Sequence, residues 1–451
     1  MSPRSTATIM LAGSLLALSG CAGRPRLDTP PPLTATGWSA PGDGTVPAAD
    51  ADLALLLGSP TLADLIARAQ RTSPALLRAE TRIDQARALL KLARGAALPS
   101  LSIGTNASAN SPAGGGPFEF ASNFATIDAA LSIDFAGGFR AGRRSAGQRV
   151  LAARLDRDSL AVRLTAELAR TYVTRAVLQA RLGLIDRSIE QATQLQNIIE
   201  MRRREGVATR VDVGLQKIRV DQLRAERERL RQAHDETRVA IALLVGEEPP
   251  AFRAVPESVE RFAVPDIAPP PPSRLVATRP DVLAAEARIA AAGGDVRQAR
   301  AAFFPRLDLS LGRNAQSVLG SGILSGVSLG AELIAPIFNR NRLKGNLELA
   351  AAQQRESVQN YREVLLGALA DVENGLAAAR YARNRALILA DVTAEARHTA
   401  ALARVQYLEG DADLRHLLDA QDLLINAQDA ELISRQERLE AAIALYRVSR
   451  G

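Results

Sequence analysis

Apolar and polar residues alternate one by one in two regions of this chain, and elsewhere recur with helical spacing over long distances. Leu101, Ile103, Thr105, Ala107 and Ala109 alternate with Ser102, Gly104, Asn106, Ser108 and Asn110, the two-residue period of a strand with one apolar and one polar face. Beyond a turn region holding Pro112, Gly114, Gly115, Gly116 and Pro117, the residues Ile127, Ala129, Leu131, Ile133 and Phe135 alternate with Asp128, Ala130, Ser132 and Asp134. The pair predicts a long hairpin. A second is predicted where Leu307, Leu309 and Leu311 alternate with Asp308, Ser310 and Gly312, and Val327, Leu329, Ala331 and Leu333 with Ser328, Gly330 and Glu332. Strands of about ten residues with this division suit a membrane β-barrel. The alternation alone equally describes a hairpin laid over a soluble core.

Helical spacing begins near Thr61 with Leu62, Leu65, Ile66 and Ala69, and resumes after Ser73-Pro74 as far as Leu98. Pro99 ends it, because proline lacks the amide a helix needs. From Gly138 to Arg203 there is no proline, and at 1.5 Å per residue such a helix is roughly 100 Å long. Leu178, Leu182, Ile185, Ile189, Ala192 and Ile199 lie on a heptad seam, as do Leu389, Val392, Ala396, Thr399 and Ala403. These seams predict long helices packed side by side as coiled coils.

The pattern occurs twice. Pro74 and Pro280 are 206 residues apart, and so are Pro99 and Pro305. In the same register Ala79, Glu80, Arg82, Ile83, Arg94 and Ala96 match Ala285, Glu286, Arg288, Ile289, Arg300 and Ala302. Glu205-Gly206-Val207-Ala208 corresponds to Glu409-Gly410-Asp411-Ala412, each interrupting a long helix. The chain therefore reads as two copies of helix, strand hairpin, very long helix, turn and helix. The first copy spans 61–248 and the second 273–451, joined by a Pro-rich linker at 249–272.

Composition refines this picture. The chain of 451 residues is 47% hydrophobic but only 4% aromatic, and its small apolar side chains suit closely approaching helices. A formal charge of +7, from 56 Lys and Arg against 49 acids, is spread along the helices without stacking aromatics, which argues against nucleic-acid binding. Arg4 and the apolar run Ile9–Leu18 form an export signal over 1–20, too short to span a membrane. Leu18-Ser19-Gly20-Cys21 resembles the lipobox of bacterial lipoproteins, and Cys21 is the only cysteine in the chain. The resemblance implies cleavage before Cys21 and acylation there, for example by palmitate. Ala22 follows it, where lipoproteins kept at the inner membrane carry Asp, so the expected address is the outer membrane. Residues 21–60, rich in Pro, Gly, Ala and Asp, read as an extended lead from that anchor.

Four strands cannot close a membrane barrel, whose smallest members have about eight, and an open edge is not tolerated in lipid. A homotrimer supplying four strands per chain closes a barrel of twelve strands. At this point the sequence resembles the TolC-like outer-membrane efflux proteins, in particular the lipoprotein (NodT-like) branch. The resemblance rests on the twofold repeat, the prolines before each hairpin, the helix interruptions at Gly206 and Gly410, Pro336-Ile337-Phe338-Asn339-Arg340 as a strand-to-helix junction, and Leu417-Leu418-Asp419-Ala420-Gln421 as the second tip motif. It implies an α+β membrane protein: a trimeric 12-stranded β-barrel continued by a coiled-coil α-helical barrel through the periplasm. The function implied is a passive exit duct for drugs or other small toxic compounds. A periplasmic adaptor and an inner-membrane transporter of the resistance-nodulation-division class would engage its tips.

The resemblance further assigns the tip residues Gly206, Val207, Ala208, Gly410, Asp411 and Ala412 to adaptor contact, and Asp419 to a ring of carboxylates constricting the closed duct. His416 stands one turn before Asp419, where some relatives carry a second acid, and Arg415 four residues before it, where others are apolar. The alternative for Asp419 is a solvated helix carboxylate pairing with Arg415 or a neighbour. On the polar strand faces Asp128, Asp134, Asp308 and Glu332, with no Lys or Arg expected beside them, predict a cation-preferring lumen. Asp128 and Asp134 could instead mark strand ends. No phosphate loop or nucleophile elbow is present, and His234, His398 and His416 lack metal-ligand spacing, so neither an enzyme nor a cofactor or metal is expected. Two alternatives share the signal and the anchor: a periplasmic adaptor, and a structural coiled-coil lipoprotein without a pore.

Overall fold

The computed structural model describes residues 37–39, 52–110, 119–253, 257–318 and 323–450, with backbone alone at 108–110, 119–123 and 317–318. The signal segment and Cys21 lie outside the described residues. In chain order the elements are α1 (Leu53–Leu56), α2 (Pro60–Thr72), α3 (Pro74–Gly95), β1 (Ser100–Asn110), β2 (Glu119–Asp134), α4 (Gly138–Arg204) and α5 (Arg210–Val245). These are followed by α6 (Pro272–Thr278), α7 (Pro280–Ala301), β3 (Arg306–Val318), β4 (Ile323–Ile334), α8 (Arg340–Glu409) and α9 (Leu414–Arg450). The repeat is visible in this order: α3 and α7 have 22 residues each, and α4 and α8 have 67 and 70. Among the described residues no helix is long and apolar enough to cross a membrane.

The elements fall into two compact units, each containing parts of both sequence copies. One takes in residues 82–154 and 284–363 and holds the sheet. Its strands lie in the order β1-β2-β3-β4, every neighbouring pair antiparallel. The helices stop at Gly95 and Ala301, four residues before Pro99 and Pro305, and each proline is followed directly by a strand; the missing amides bar the helices from continuing through them. The register aligns Leu101, Ala129, Leu311 and Leu329 in one row, with Leu131, Leu309 and Ala331 in the row before it and Ile133, Leu307 and Leu333 in the row before that. All of these side chains share one face. Beside the sheet, α4 and α7 approach closely: a Cβ on Gly138 would lie 3.0 Å from the Ala301 Cβ, and one on Gly294 would lie 2.8 Å from the Ser145 Cβ. Small residues here permit a contact that larger ones would prevent.

The other unit takes in residues 52–81, 155–283 and 364–450 with the short segment around Trp38. Its main core gathers Leu62, Leu65, Tyr172, Val173, Ile241 and Tyr446. Tyr172 packs edge-on against Phe262 with ring centroids 6.0 Å apart, and its hydroxyl accepts the Glu257 N–H at 3.2 Å. Burial raises the Tyr172 phenol above its ordinary range despite that bond. The joint between the copies is thus part of the core, since Phe252, Val259 and Phe262 are buried. The lead from the N-terminus is also less extended than its composition predicts: Leu53–Leu56 is helical, capped by the Asp52 carboxylate, and Leu53, Ala54 and Leu57 are buried. Apolar burial outweighs the turn-forming composition there.

Two further clusters line the long helices. The first predicted seam is confirmed, with Leu178, Leu182, Ile185, Ala192 and Ile199 buried. The second differs by one position. Val392 is 47% exposed while Thr393 is buried, and Ala400, Ala403 and Tyr407 continue the stripe. The Thr393 hydroxyl donates to the Leu389 and Ala427 carbonyls, at 2.9 and 3.2 Å, so a polar residue can occupy a seam that hydrophobicity alone assigned to its neighbour.

Candidate functional site

The long helices end in two equivalent turns. Gly206 (φ 81°) and Gly410 (φ 89°) adopt the left-handed conformation that glycine tolerates best. After Gly206 the amides of Val207 and Ala208 both donate to the Arg202 carbonyl; after Gly410 those of Asp411 and Ala412 donate to the Gln406 carbonyl. Helix α5 then starts with a capping box between Thr209 and Asp212, and the Asp413 carboxylate accepts the His416 N–H at 2.8 Å as α9 begins. Arg202 joins the two turns. Its guanidinium lies 4.7 Å from the Tyr407 ring centre and donates to the Tyr407 and Leu408 carbonyls at 3.3 and 3.1 Å. Nothing in the helical periodicity distinguishes Arg202 from the arginines beside it.

Apolar residues remain on the surface of this end. Val211, Leu215 and Ile218 are exposed along one flank of α5 at the spacing of a helix stripe, and Val207 is exposed in the turn before it.

In the first two turns of α9 the buried residues are Leu414, Leu417 and Ala420, which pack with Leu195, Ile199, Ala403 and Tyr407. That packing turns Arg415, His416 and Asp419 outward, and all three are exposed. Among the described residues Asp419 makes no ion pair, so the expected alternative of pairing with Arg415 is not realised. One turn further on is a residue that the motif did not single out. Asp422 pairs through its Oδ1 with the guanidinium of Arg219 of α5. Burial chiefly holds the Asp422 carboxyl above the usual carboxylate range; the Asp419 charge adds to this and Arg219 opposes it. Two carboxylates thus act on one another beside the second tip. Two turns further along, Arg181 grips Asp429 through two bonds of 2.6 and 2.9 Å, the bidentate geometry that orients a helix as well as holding it.

On the sheet, Asp128, Asp134, Asp308 and Glu332 share the polar face, with Asp308 directly opposite Glu332. The expectation of no cation there is corrected by Arg306. Its position in β3 has the same parity as Asp308, and its Nε donates to Asp308 Oδ2 at 3.1 Å. Ser132 donates to the other Asp308 oxygen at 2.6 Å. Asp134 faces the same way but serves a local purpose, accepting the N–H groups of Ala136, Gly137 and Phe139 at the start of α4. The described side chains of this face therefore carry four carboxylates against one guanidinium. Gly312 leaves room for Asp128, whose Oδ1 would lie 2.9 Å from a Cβ placed there. The opposite face is apolar in its first three rows and meets Arg313 in the fourth, between Ile127 and Val327. No metal-binding cluster of His, Cys, Asp and Glu occurs among the described residues.

Comparison with known proteins places this geometry. The profile of the family described as "Outer membrane efflux protein" matches residues 65–247 and 272–449. The chain is 32% identical to the pyoverdine export outer membrane protein OpmQ of Pseudomonas putida over 100% of its own length and 97% of that protein. It is 29% identical to the outer membrane protein OprJ of Pseudomonas aeruginosa, covering 97% and 94% of the two chains. Among solved structures, the outer-membrane channel OprN superposes with a TM-score of 0.83 at 25% identity, covering 94% of this chain and 98% of that one.

Proposed function

The chain belongs to the outer membrane efflux protein family, and we propose on that premise that Asp419 forms the periplasmic constriction of its duct. The protein is an outer-membrane exit duct for efflux, a homotrimer that works with a periplasmic adaptor and an inner-membrane transporter of the resistance-nodulation-division class. The observation that carries the gate is the exposed, unpaired Asp419 on the outward face of α9, directly after the Gly410 turn. Three such carboxylates around a narrow aqueous opening repel one another and concentrate cations. Arg415 and His416 stand on the same outward side and moderate that charge.

The tips Gly206–Ala208 and Gly410–Ala412 take the adaptor, supported by the apolar stripe from Val211 to Ile218, which suits a partner's amphipathic helix. Cys21 carries the lipid anchor, and 1–20 is the segment removed. Two efflux repeats, 61–248 and 273–451, flank the linker 249–272. The duct moves its cargo passively and catalyses no reaction. Asp419→Ala in the full-length protein raises single-channel conductance in planar bilayers; unchanged conductance removes the gate assignment.

A further inference from the structure

We propose that an arginine-lined cavity where α4 and α7 meet the strand ends binds the phosphate of an anionic phospholipid in the leaflet facing the periplasm. The cavity has a volume of about 310 Å³ and is lined by Arg140, Arg144, Arg297, Arg300 and Phe304 together with small residues. Its origin is the close α4–α7 approach. Gly138 faces Ala301 and Gly294 faces Ser145, so the helix backbones nearly touch, and the arginines on either side of that seam converge on one space. Arg140 and Arg144 are four residues apart on α4, and Arg297 and Arg300 three apart on α7, spacings that put each pair on one helix face.

Four guanidiniums around one cavity repel each other unless an anion joins them. Among the described residues none of the four has an acidic partner. Two acids close by in sequence are engaged elsewhere, Asp134 by the amides that begin α4 and Asp295 by Ser145 and Arg149. The Nε of Arg300 is buried without a hydrogen-bond partner. An unmet buried donor in a cationic cavity marks a place for an oxyanion, and guanidinium matches phosphate oxygens through paired donors.

The position selects the source of that phosphate. The cavity lies just past the first apolar row, Ile133, Leu307 and Leu333, on the side where the strands give way to helices. Phe135, Phe304 and Phe338, all exposed, follow the ends of β2, α7 and β4, the strand-end placement that aromatic residues take at a membrane interface. Lipid phosphates therefore lie within reach of the arginines. The inference rests on reading the sheet as the membrane-spanning part of the duct.

The test uses delipidated full-length trimer in detergent, with phosphatidylglycerol or phosphatidylcholine of the same acyl chains added, read by native mass spectrometry and thermal unfolding. Phosphatidylglycerol is expected to bind and raise the midpoint, and phosphatidylcholine is not. In Arg144→Gln/Arg300→Gln, loss of two charge-assisted contacts lowers phosphatidylglycerol affinity by roughly 100-fold, while Arg204→Gln at the C-terminal end of α4 leaves it unchanged. Arg144→Lys/Arg300→Lys keeps the charge and retains part of the binding. Equal response of the wild-type trimer to both lipids overturns the proposal without any variant. Equal protection by inorganic phosphate at matched concentration overturns the lipid assignment. Bilayer conductance of the same preparation separates the two readings: a conducting trimer with no lipid preference loses only this site.

Discussion

The division of the sheet into a lipid face and a lumen face is tested by placing one arginine on each. Leu311 lies in the third apolar row, beside Ala129 and Leu329, and Ser310 precedes it on the opposite face. Four residues separate Leu311 from Leu307, so at about 3.4 Å per residue and a tilt near 40° it stands about 10 Å above the first apolar row. That is close to the middle of a band about 25 Å tall, where an outward arginine costs about 2–4 kcal/mol. Three copies make roughly 6–12 kcal/mol per trimer, enough to deplete it. Arg313, two residues further on, stands about 16 Å above the first row by the same geometry, where its side chain can extend to the interface. Leu311→Arg is expected to abolish the heat-modifiable trimer of outer-membrane extracts on unheated gels and to lower the denaturant midpoint of any trimer that forms. Ser310→Arg, facing water, is expected to keep both near wild type. A stable Leu311→Arg trimer beside a collapsed Ser310→Arg one would show that the faces are reversed or that the sheet is not in lipid.

Two further predictions concern the helical unit. Gly246 caps α5 with φ 86°, and a Cβ there would lie 2.4 Å from the Thr72 carbonyl oxygen; Gly246→Ala should cost about 2–3 kcal/mol, combining left-handed strain with displacement of backbone, and an unchanged thermal midpoint would remove that reasoning. His234 is held below its ordinary value chiefly by burial and then by Arg175, with Asp235 opposing. Its unfolded form therefore binds a proton first, and stability present above pH about 6.5 declines as pH falls through that value. His234→Gln should flatten the decline in unfolding midpoint just below that pH, and an unaltered slope would assign it to other groups.

The repeated prolines made the architecture legible, because Pro74, Pro99, Pro280 and Pro305 mark the same helix boundaries in both copies. The strand faces were readable from alternation, and the tips from Gly206 and Gly410, whose left-handed backbone favours glycine. What escaped was set by tertiary neighbours. Arg306 sits one residue before the apolar alternation begins, so its pairing with Asp308 emerges only once β3 is seen to start there. Asp134 has the parity of a lumen acid, but the tight turn into α4 brings three amides to it. Thr393 occupies the seam assigned to Val392 because a facing carbonyl on α9 satisfies its hydroxyl. Asp422 carries no motif of its own; its partner Arg219 is distant in sequence, and so is Tyr407 from Arg202.

Planar-bilayer recording on the detergent-extracted, full-length protein, with its mass measured in the same preparation, bears most directly on the duct. A trimer that gives small discrete conductance steps, with a reversal potential favouring cations as four lumen carboxylates against one arginine require, is the predicted result. A monomer or dimer that never conducts would contradict the account, and the paired hairpins would then need another purpose.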